Sequence, residues 1–241
     1  MKNYNHNEEI KATRVGGFGG SDAAMVLAMA ERIRECQPLT TAQKHRILQL
    51  KGLETRPDFD SPEIQAGRAF EDEVAKELEA ARWDRETFLS PNPNTTMAVR
   101  QHFKVFAHAD FYNPKTNTVT ECKWSRKFNH DGLKKQYAAQ LQWYYMLGAD
   151  AVCLCSDTAD GRKTTDVMRD DKMVELLKMS LETIEPCISV RWRKVPRQES
   201  LPVHAAHGSQ HPVRGARAAV RPRWDCPAQR VWRGRSGRAG R

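Results

Sequence analysis

This 241-residue chain has no run of about 18 apolar residues, so no segment reads as a membrane span. Its first twenty residues, MKNYNHNEEIKATRVGGFGG, lack the apolar stretch of a signal peptide; export is not expected, and a cytoplasmic protein is. The six cysteines, at 36, 122, 153, 155, 187 and 226, lack the spacing of a disulfide framework or a zinc ribbon, which fits a reducing compartment. The pair in VCLC (152–155) alternates as strand residues do and is read first as core rather than as cluster ligands. The glycine-rich turn RVGGFGGS (14–21) lacks the Lys-Ser/Thr of a phosphate-binding loop and the spacing of a dinucleotide fingerprint, which argues against nucleoside triphosphate binding.

The body of the chain also lacks the positive charge that its net +9 advertises. Residues 191–241 hold 13 Lys and Arg against 2 acids, which leaves 26 basic and 28 acidic residues in 1–190. Beyond Lys194 there is no lysine; nine arginines from Arg214 to Arg241 are interleaved with Ala, Gly and Pro, without apolar periodicity. A tail of this composition is expected to be disordered in isolation. It is either an arginine-rich nucleic-acid arm or the read-through of a shifted, GC-rich reading frame, and no function rests on it. The remaining length suits one domain, placed at 1–190, with the tail at 191–241.

After the glycine-rich turn, Ser21 or Asp22 reads as the N-cap of a short helix, AAMVLAMAERIRE. A second helix is expected over Thr41–Lys51 and a third over EIQAGRAFEDEVAKELEAARW. In the third, Glu71 sits in the middle of the stripe Val74, Ala75 and Leu78, whereas Asp72, Glu73, Lys76 and Glu77 point to the other side. An acid thus faces the core. The stretch Val99–Trp124 reads as two strands joined by a turn at NPKTN. In the first, Phe103, Val105, Ala107, Ala109 and Phe111 share one face, and His108 and Asp110 take the other; in the second, Val119, Glu121 and Lys123 share a face with Cys122 opposite. The stretch DGLKKQYAAQLQWYYMLGAD is expected to form one helix, with Gln140 in line with Leu133, Tyr137, Trp143, Tyr144 and Leu147, and Gln142 pointing away. A strand AVCLCSD, a polar turn DTADGRKTT and an amphipathic helix from about Arg169 to Ile184 complete the domain. This order predicts an α/β (α+β) fold with a mixed central β-sheet flanked by helices.

Buried charges are costly unless paired or bound to a metal, so Asp110, Glu121 and Lys123 in an apolar hairpin ask for a reason. A carboxylate two residues before a lysine occurs as EIK (9–11), ECK (121–123) and DDK (170–172). Only ECK lies on an expected strand with an aspartate on the strand before it, so three ionisable groups can converge there. Asp110, Glu121 and Glu71 offer hard oxygen ligands to Mg2+. Lys123, on the face of Glu121, can hold the attacking water and offset phosphate charge. Metal-assisted phosphodiester hydrolysis is the chemistry this set fits.

The segments GGSDA, GRAFEDEVAKELE, HADF…TVTECKWS and YAAQLQWYYMLGAD, in that order over Arg14 to Asp150, resemble the successive motifs of PD-(D/E)XK nucleases. The resemblance is specifically to the YqaJ-like phage recombination exonucleases related to phage lambda exonuclease. It implies a restriction-endonuclease-like core, metal carboxylates at Glu71, Asp110 and Glu121, and a backbone metal ligand in the Cys122 carbonyl. It also implies a catalytic lysine at Lys123 and the motif glutamine at Gln140, with Mg2+ as cofactor and Mn2+ as a substitute. Arg14 and Ser21 would grip the 5′-phosphate of a DNA end, and free N–H groups at a helix N-terminus suit a phosphate. Arg126 and Lys127 are expected along the DNA backbone. Phe111 departs from the family, which often has Gly after the aspartate. The implied activity is Mg2+-dependent resection of linear double-stranded DNA from the 5′ end. The implied setting is a phage- or prophage-encoded protein in the bacterial cytoplasm that feeds single strands to a phage annealing protein, with a ring-shaped homotrimer as the implied assembly.

Blander readings stand beside these. Glu71 could pair with an arginine, Asp110 with Lys123 could be a structural ion pair, and Gln140 could be a buried amide. Ser21 and Asp22 could be simple caps, His108 a core histidine, WSRKF (124–128) with Lys134 and Lys135 a solvated loop, and WYY at 143–145 core. Two other functions stay open: a nuclease of the same fold with another task, site-specific or of the iron–sulphur CRISPR-adaptation type, and a non-catalytic protein that binds DNA through its tail. Truncation after Arg193 separates the last from the rest. A tail-borne function predicts that DNA affinity and its salt dependence collapse, whereas a nuclease predicts that the truncated protein still cuts DNA in a gel assay.

Overall fold

The computed structural model describes residues 16–55, 60–91 and 103–189. The chain divides into two units, Met1–Ser189 and Val190–Arg241. All described residues belong to the first; the arginine-rich tail, Arg14 and the start of the expected strand at Val99 lie outside them. No helix among the described residues is long and apolar enough to cross a membrane.

A two-residue strand β1 (Gly17–Phe18) and a 3-10 turn (Gly20–Asp22) lead into helices α1 (Ala23–Arg34), α2 (Thr41–Leu50) and α3 (Pro62–Leu78). Strands β2 (Asp84–Leu89), β3 (Lys104–Val105), β4 (Ala107–Asn113) and β5 (Thr118–Trp124) follow. Helices α4 (His130–Gln136) and α5 (Ala138–Leu147), strands β6 (Ala151–Thr158) and β7 (Gly161–Val167), and helix α6 (Asp171–Ser189) complete the domain. The main sheet has the order β2-β4-β5-β6-β7, with β1 and β3 forming a small parallel pair. Only β5 and β6 run parallel within the main sheet, so the sheet is mixed, and helices flank it as the element order predicts.

Local chemistry explains where the helices begin and end. Thr40 and Gln43 form a reciprocal capping box at α2. Ser61 caps α3 with Pro62 at its first position, where a missing N–H costs nothing. The Asn129 side chain accepts the Gly132 N–H at the start of α4, and Gly148, at φ 107°, ends α5 in a left-handed turn. One core layer forms where Phe70, Val74 and Ala75 of α3 pack on Phe111, Cys122 and Cys155. On α5 the side chains of Leu141, Trp143 and Tyr144 are fully buried.

Several expectations are corrected. The segment 84–89, read as no element, is edge strand β2; its DRETFL sequence is partly exposed along its length and carries no apolar alternation to betray it. The expected turn DTADGRKTT contains a second edge strand, β7, which closes a hairpin with β6. The strand expected through Phe103–Phe111 is interrupted between β3 and β4. The single helix expected over 131–150 breaks at Tyr137, whose backbone sits at φ −100°, ψ 12°. Gln142 does not reach solvent: α5 is buried almost all round, and the Gln142 amide donates to the Met168 carbonyl at 2.9 Å while accepting the Asp170 N–H at 2.9 Å.

Asp22 does not cap α1 through its side chain. Its carboxylate accepts the Gly19 N–H at 2.9 Å and a two-pronged guanidinium from Arg46, at 3.0 Å to Oδ1 and 2.7 Å to Oδ2. Arg46 also donates to the Gly17 carbonyl at 2.8 Å and lies over the Phe18 ring. The pair ties α2 to the glycine-rich turn, and both side chains are below 10% exposed, at 8% and 7%. A buried charge that loses its partner is expensive, so Asp22→Ala should destabilise the protein by about 3 kcal/mol in urea unfolding. A loss under about 1 kcal/mol, the range of exposed pairs, would show that the pair does not anchor the turn.

Candidate active site

The site lies where two neighbouring strands part. Strands β4 and β5 pair only from Phe111–Asn113 to Thr118–Thr120, while β5 stays paired with β6 all the way to Trp124. Just beyond the last pair, Phe111 with Thr120, the Cys122 N–H donates to the Asp110 side chain, at 2.7 Å to Oδ2. A side chain therefore replaces the ladder, and the donor stays satisfied as the strands separate.

Because side chains alternate along a strand, Glu121 and Lys123 emerge on one face of β5 while Cys122 enters the α3 core on the other. Glu121 is 2% exposed and fully engaged. Its Oε1 accepts from Lys123 Nζ and, at 2.6 Å, from Gln140 Nε2; its Oε2 accepts from the Tyr144 hydroxyl. Gln140 and Tyr144 stand one helical turn apart on α5, so a single helix face supplies both donors. Lys123 also lies 4.8 Å from the centre of the Tyr137 ring, the residue at which the helix breaks.

Electrostatics bind the set together. Burial, then the charges of Glu121 and Glu71, raise Asp110 well above the usual carboxylate range, against the pull of Lys123. Burial also raises Glu71 on α3, which lies within electrostatic reach of Lys123 and Glu121. For Lys123, burial favours the neutral amine, but the carboxylates of Glu121 and Asp110 outweigh it and hold the ammonium above its ordinary value. Burial, with Glu121 and Asp110, likewise keeps the Tyr144 phenol protonated. Three acids are thus crowded around one cation.

The structure brings Glu71, Asp110, Glu121, Lys123 and Gln140 together, with the Cys122 backbone between Glu121 and Lys123 and its N–H on Asp110. The chemistry of this donor set suits a divalent cation: hard oxygens, mutual repulsion, and a net deficit of positive charge. Among the described residues no group of three His, Cys, Asp or Glu side chains is arranged as a metal site, and both Glu121 oxygens are engaged by Lys123, Gln140 and Tyr144. In VCLC, Cys155 is core and Cys153 contacts Asp166.

Ser21 is exposed in the 3-10 turn, and its neighbour Gly20 packs against Gln140 and Trp143, one layer from Glu121. Arg14 lies outside the described residues. Arg126 donates to the Thr158 carbonyl at 2.6 Å, approaches Asp157 at 3.4 Å and covers the Trp124 ring, and its side chain remains half exposed. Lys127 is exposed and sits within electrostatic reach of Glu63 at the start of α3. Sequence reading missed the role of Tyr144, placed with the core aromatics. The signal was available, since Gln140 and Tyr144 fall in one helical line.

No protein-family model matches the chain, and no curated protein sequence does. Among solved structures, a phage-related exonuclease from Haemophilus somnus 129PT is similar over 73% of this chain and 95% of its own, at 13% identity and a TM-score of 0.48. The protein SSO0001 is similar over 69% of this chain and 76% of its own, at 16% identity and a TM-score of 0.44. At these scores the likenesses carry no weight for function; the side chains must.

A carboxyl raised by burial and like charges makes stability depend on pH in a defined direction. The folded protein holds the Asp110 proton more firmly than the unfolded chain, so that contribution is present at low pH and is lost as pH rises through the raised value. In metal-free buffer, Asp110→Asn should therefore be more stable than the parent above neutral pH, by at least about 1 kcal/mol, since one pKa unit is worth about 1.4 kcal/mol. The gain should shrink on acidification. Equal melting curves at alkaline pH would show that Asp110 is not crowded.

Proposed function

We propose that this protein is a metal-dependent nuclease, and specifically an Mg2+-dependent exonuclease that resects linear double-stranded DNA from the 5′ end. The observation that supports this reading most is the convergence of Asp110, Glu121 and Lys123 at the parting of β4 and β5, with Glu71 and Gln140 in reach. A structural ion pair needs one carboxylate for one ammonium, whereas here two further acids crowd the same place and are raised by burial and mutual repulsion.

In this reading Glu71, Asp110, Glu121 and the Cys122 carbonyl would hold Mg2+, with Mn2+ as a substitute. The bound ion supplies charge neutralisation at the phosphate and a water acidified for in-line attack on phosphorus. Lys123, kept protonated by its neighbours, places an N–H at the attacking water and offsets the charge that develops on the phosphoryl oxygens. Gln140 and Tyr144 orient Glu121 from the other side, fixing which of its lone pairs face the cleft. Ser21, exposed next to Gly20, and Arg14 would meet the 5′-phosphate, and Lys127 the DNA backbone. A phage or prophage origin, action in the bacterial cytoplasm, hand-over of single strands to an annealing protein, and a homotrimer belong to the same proposal.

Mixing purified protein with 5′-phosphorylated linear duplex and Mg2+ should give loss of duplex from its ends. Lys123→Ala should slow that loss by at least about a hundredfold, the scale of removing one donor to developing charge. Titration calorimetry should show a divalent-ion site that Asp110→Asn weakens, independently of cutting. Intact duplex with the parent protein in Mg2+ would reject the exonuclease reading.

A further inference from the structure

The sheet presents a second chemical feature beside the carboxylates, and it is aromatic. Phe88 on β2 is 45% exposed, although phenylalanine loses a large favourable burial by staying in water. It pairs in register with His108 on β4, two residues before Asp110, so Phe88, His108 and Asp110 share one face of the sheet. At strand spacing, His108 lies roughly 7 Å from Asp110 along β4.

Three rings meet there. Phe88 stacks on Phe106 at 5.6 Å between centres and 26° between planes, and meets His108 edge-on at 5.4 Å; Phe106 meets His108 at 5.6 Å and 80°. The rings are firmly backed. Phe106 is 1% exposed, its carbonyl accepts the Trp143 indole N–H at 2.9 Å, and the His108 carbonyl lies 3.1 Å from the Tyr144 hydroxyl. The glycines of the N-terminal turn make the fit possible: a Cβ on Gly17 would come within 2.8 Å of the Phe106 ring, and one on Gly19 within 3.1 Å. One side of Phe88 is thus seated on a fixed ring, and the residue remains open to solvent.

We infer that Phe88 is a stacking platform for an unpaired nucleobase of the substrate strand, placing the adjacent phosphate at Asp110 and Glu121. The inference rests on the nuclease reading for its choice of ligand. Given a phosphodiester at the carboxylates, the nucleotide next along the strand is within reach of Phe88, and a base is the flat ring that such a strand carries. Stacking is indifferent to base identity, so Phe88 would give affinity and positioning without sequence preference. A second copy of this chain is the competing occupant of an exposed aromatic, and the test separates the two.

The test needs no cutting. A short 5′-phosphorylated single strand carrying 2-aminopurine near its 5′ end is titrated with protein in EDTA, and the probe's fluorescence is followed. The parent should quench the probe, and Phe88→Ala should abolish the quench and weaken binding about tenfold, within the range of one base–aromatic stack. Phe88→Trp should restore both, with its own emission quenched by DNA; Phe88→Leu, apolar but unable to stack, should behave as Phe88→Ala. Unchanged quench and affinity in a Phe88→Ala protein of normal melting temperature would overturn the inference. So would wild-type behaviour of Phe88→Leu, or a change of oligomeric state by light scattering with DNA binding intact. Cutting in Mg2+ is scored separately: duplex loss with an unaffected Phe88→Ala quench leaves the nuclease reading standing and removes the platform.

Discussion

The hydrogen bond from the Cys122 N–H to Asp110 is the constraint on which the site depends. Two antiparallel strands cannot part inside a sheet without orphaning backbone groups, and an orphaned buried N–H costs as much as a lost hydrogen bond. Asp110 removes that cost at the point of separation. It thereby lets β4 and β5 part while β5 stays paired with β6, and sets a carboxylate at the point of separation. The same residue is structural and chemical at once, and its crowding by Glu121 and Glu71 is the energetic consequence.

Glu121 shows the complementary arrangement. Both of its oxygens are occupied, by a lysine from its own strand and by two donors from one face of α5. Each donor is held elsewhere as well: Tyr144 near the His108 carbonyl, Lys123 against the Tyr137 ring, Gln140 against the glycine-rich turn. That turn is itself fixed by the buried Asp22–Arg46 pair. The cleft is therefore framed by β4, β5, α5 and the N-terminal turn, each joined to another through a polar side chain rather than through apolar packing alone.

Much of this was legible in the sequence, and the reasons for the rest are physical. Helix α3 announces itself by periodicity, and Glu71 in its apolar stripe by contrast with it. The hairpin β4–β5 follows from alternation around NPKTN, and alternation alone puts Glu121 and Lys123 on the face opposite Cys122. Strands β2 and β7 were invisible because edge strands with mixed, partly exposed residues have no period-2 apolar pattern. Gln142 was misread because a helix buried almost all round has no empty side to which a polar residue can be assigned. The Asp22–Arg46 pair joins residues 24 apart, and no local spacing rule carries such a contact.

The pairing of β5 with β6 runs in parallel through seven matched positions, from Thr118 opposite Ala151 to Trp124 opposite Asp157. A slip of a single position along that seam would exchange the two faces of the strand, sending Glu121 and Lys123 into the α3 layer and turning Cys122 toward the cleft. That exchange would bury two charged side chains against Phe70, Val74 and Ala75, and the cost of doing so holds the register. The alignment of β5 with β6 thus fixes which side chains reach the α3 layer as well as which backbone groups pair.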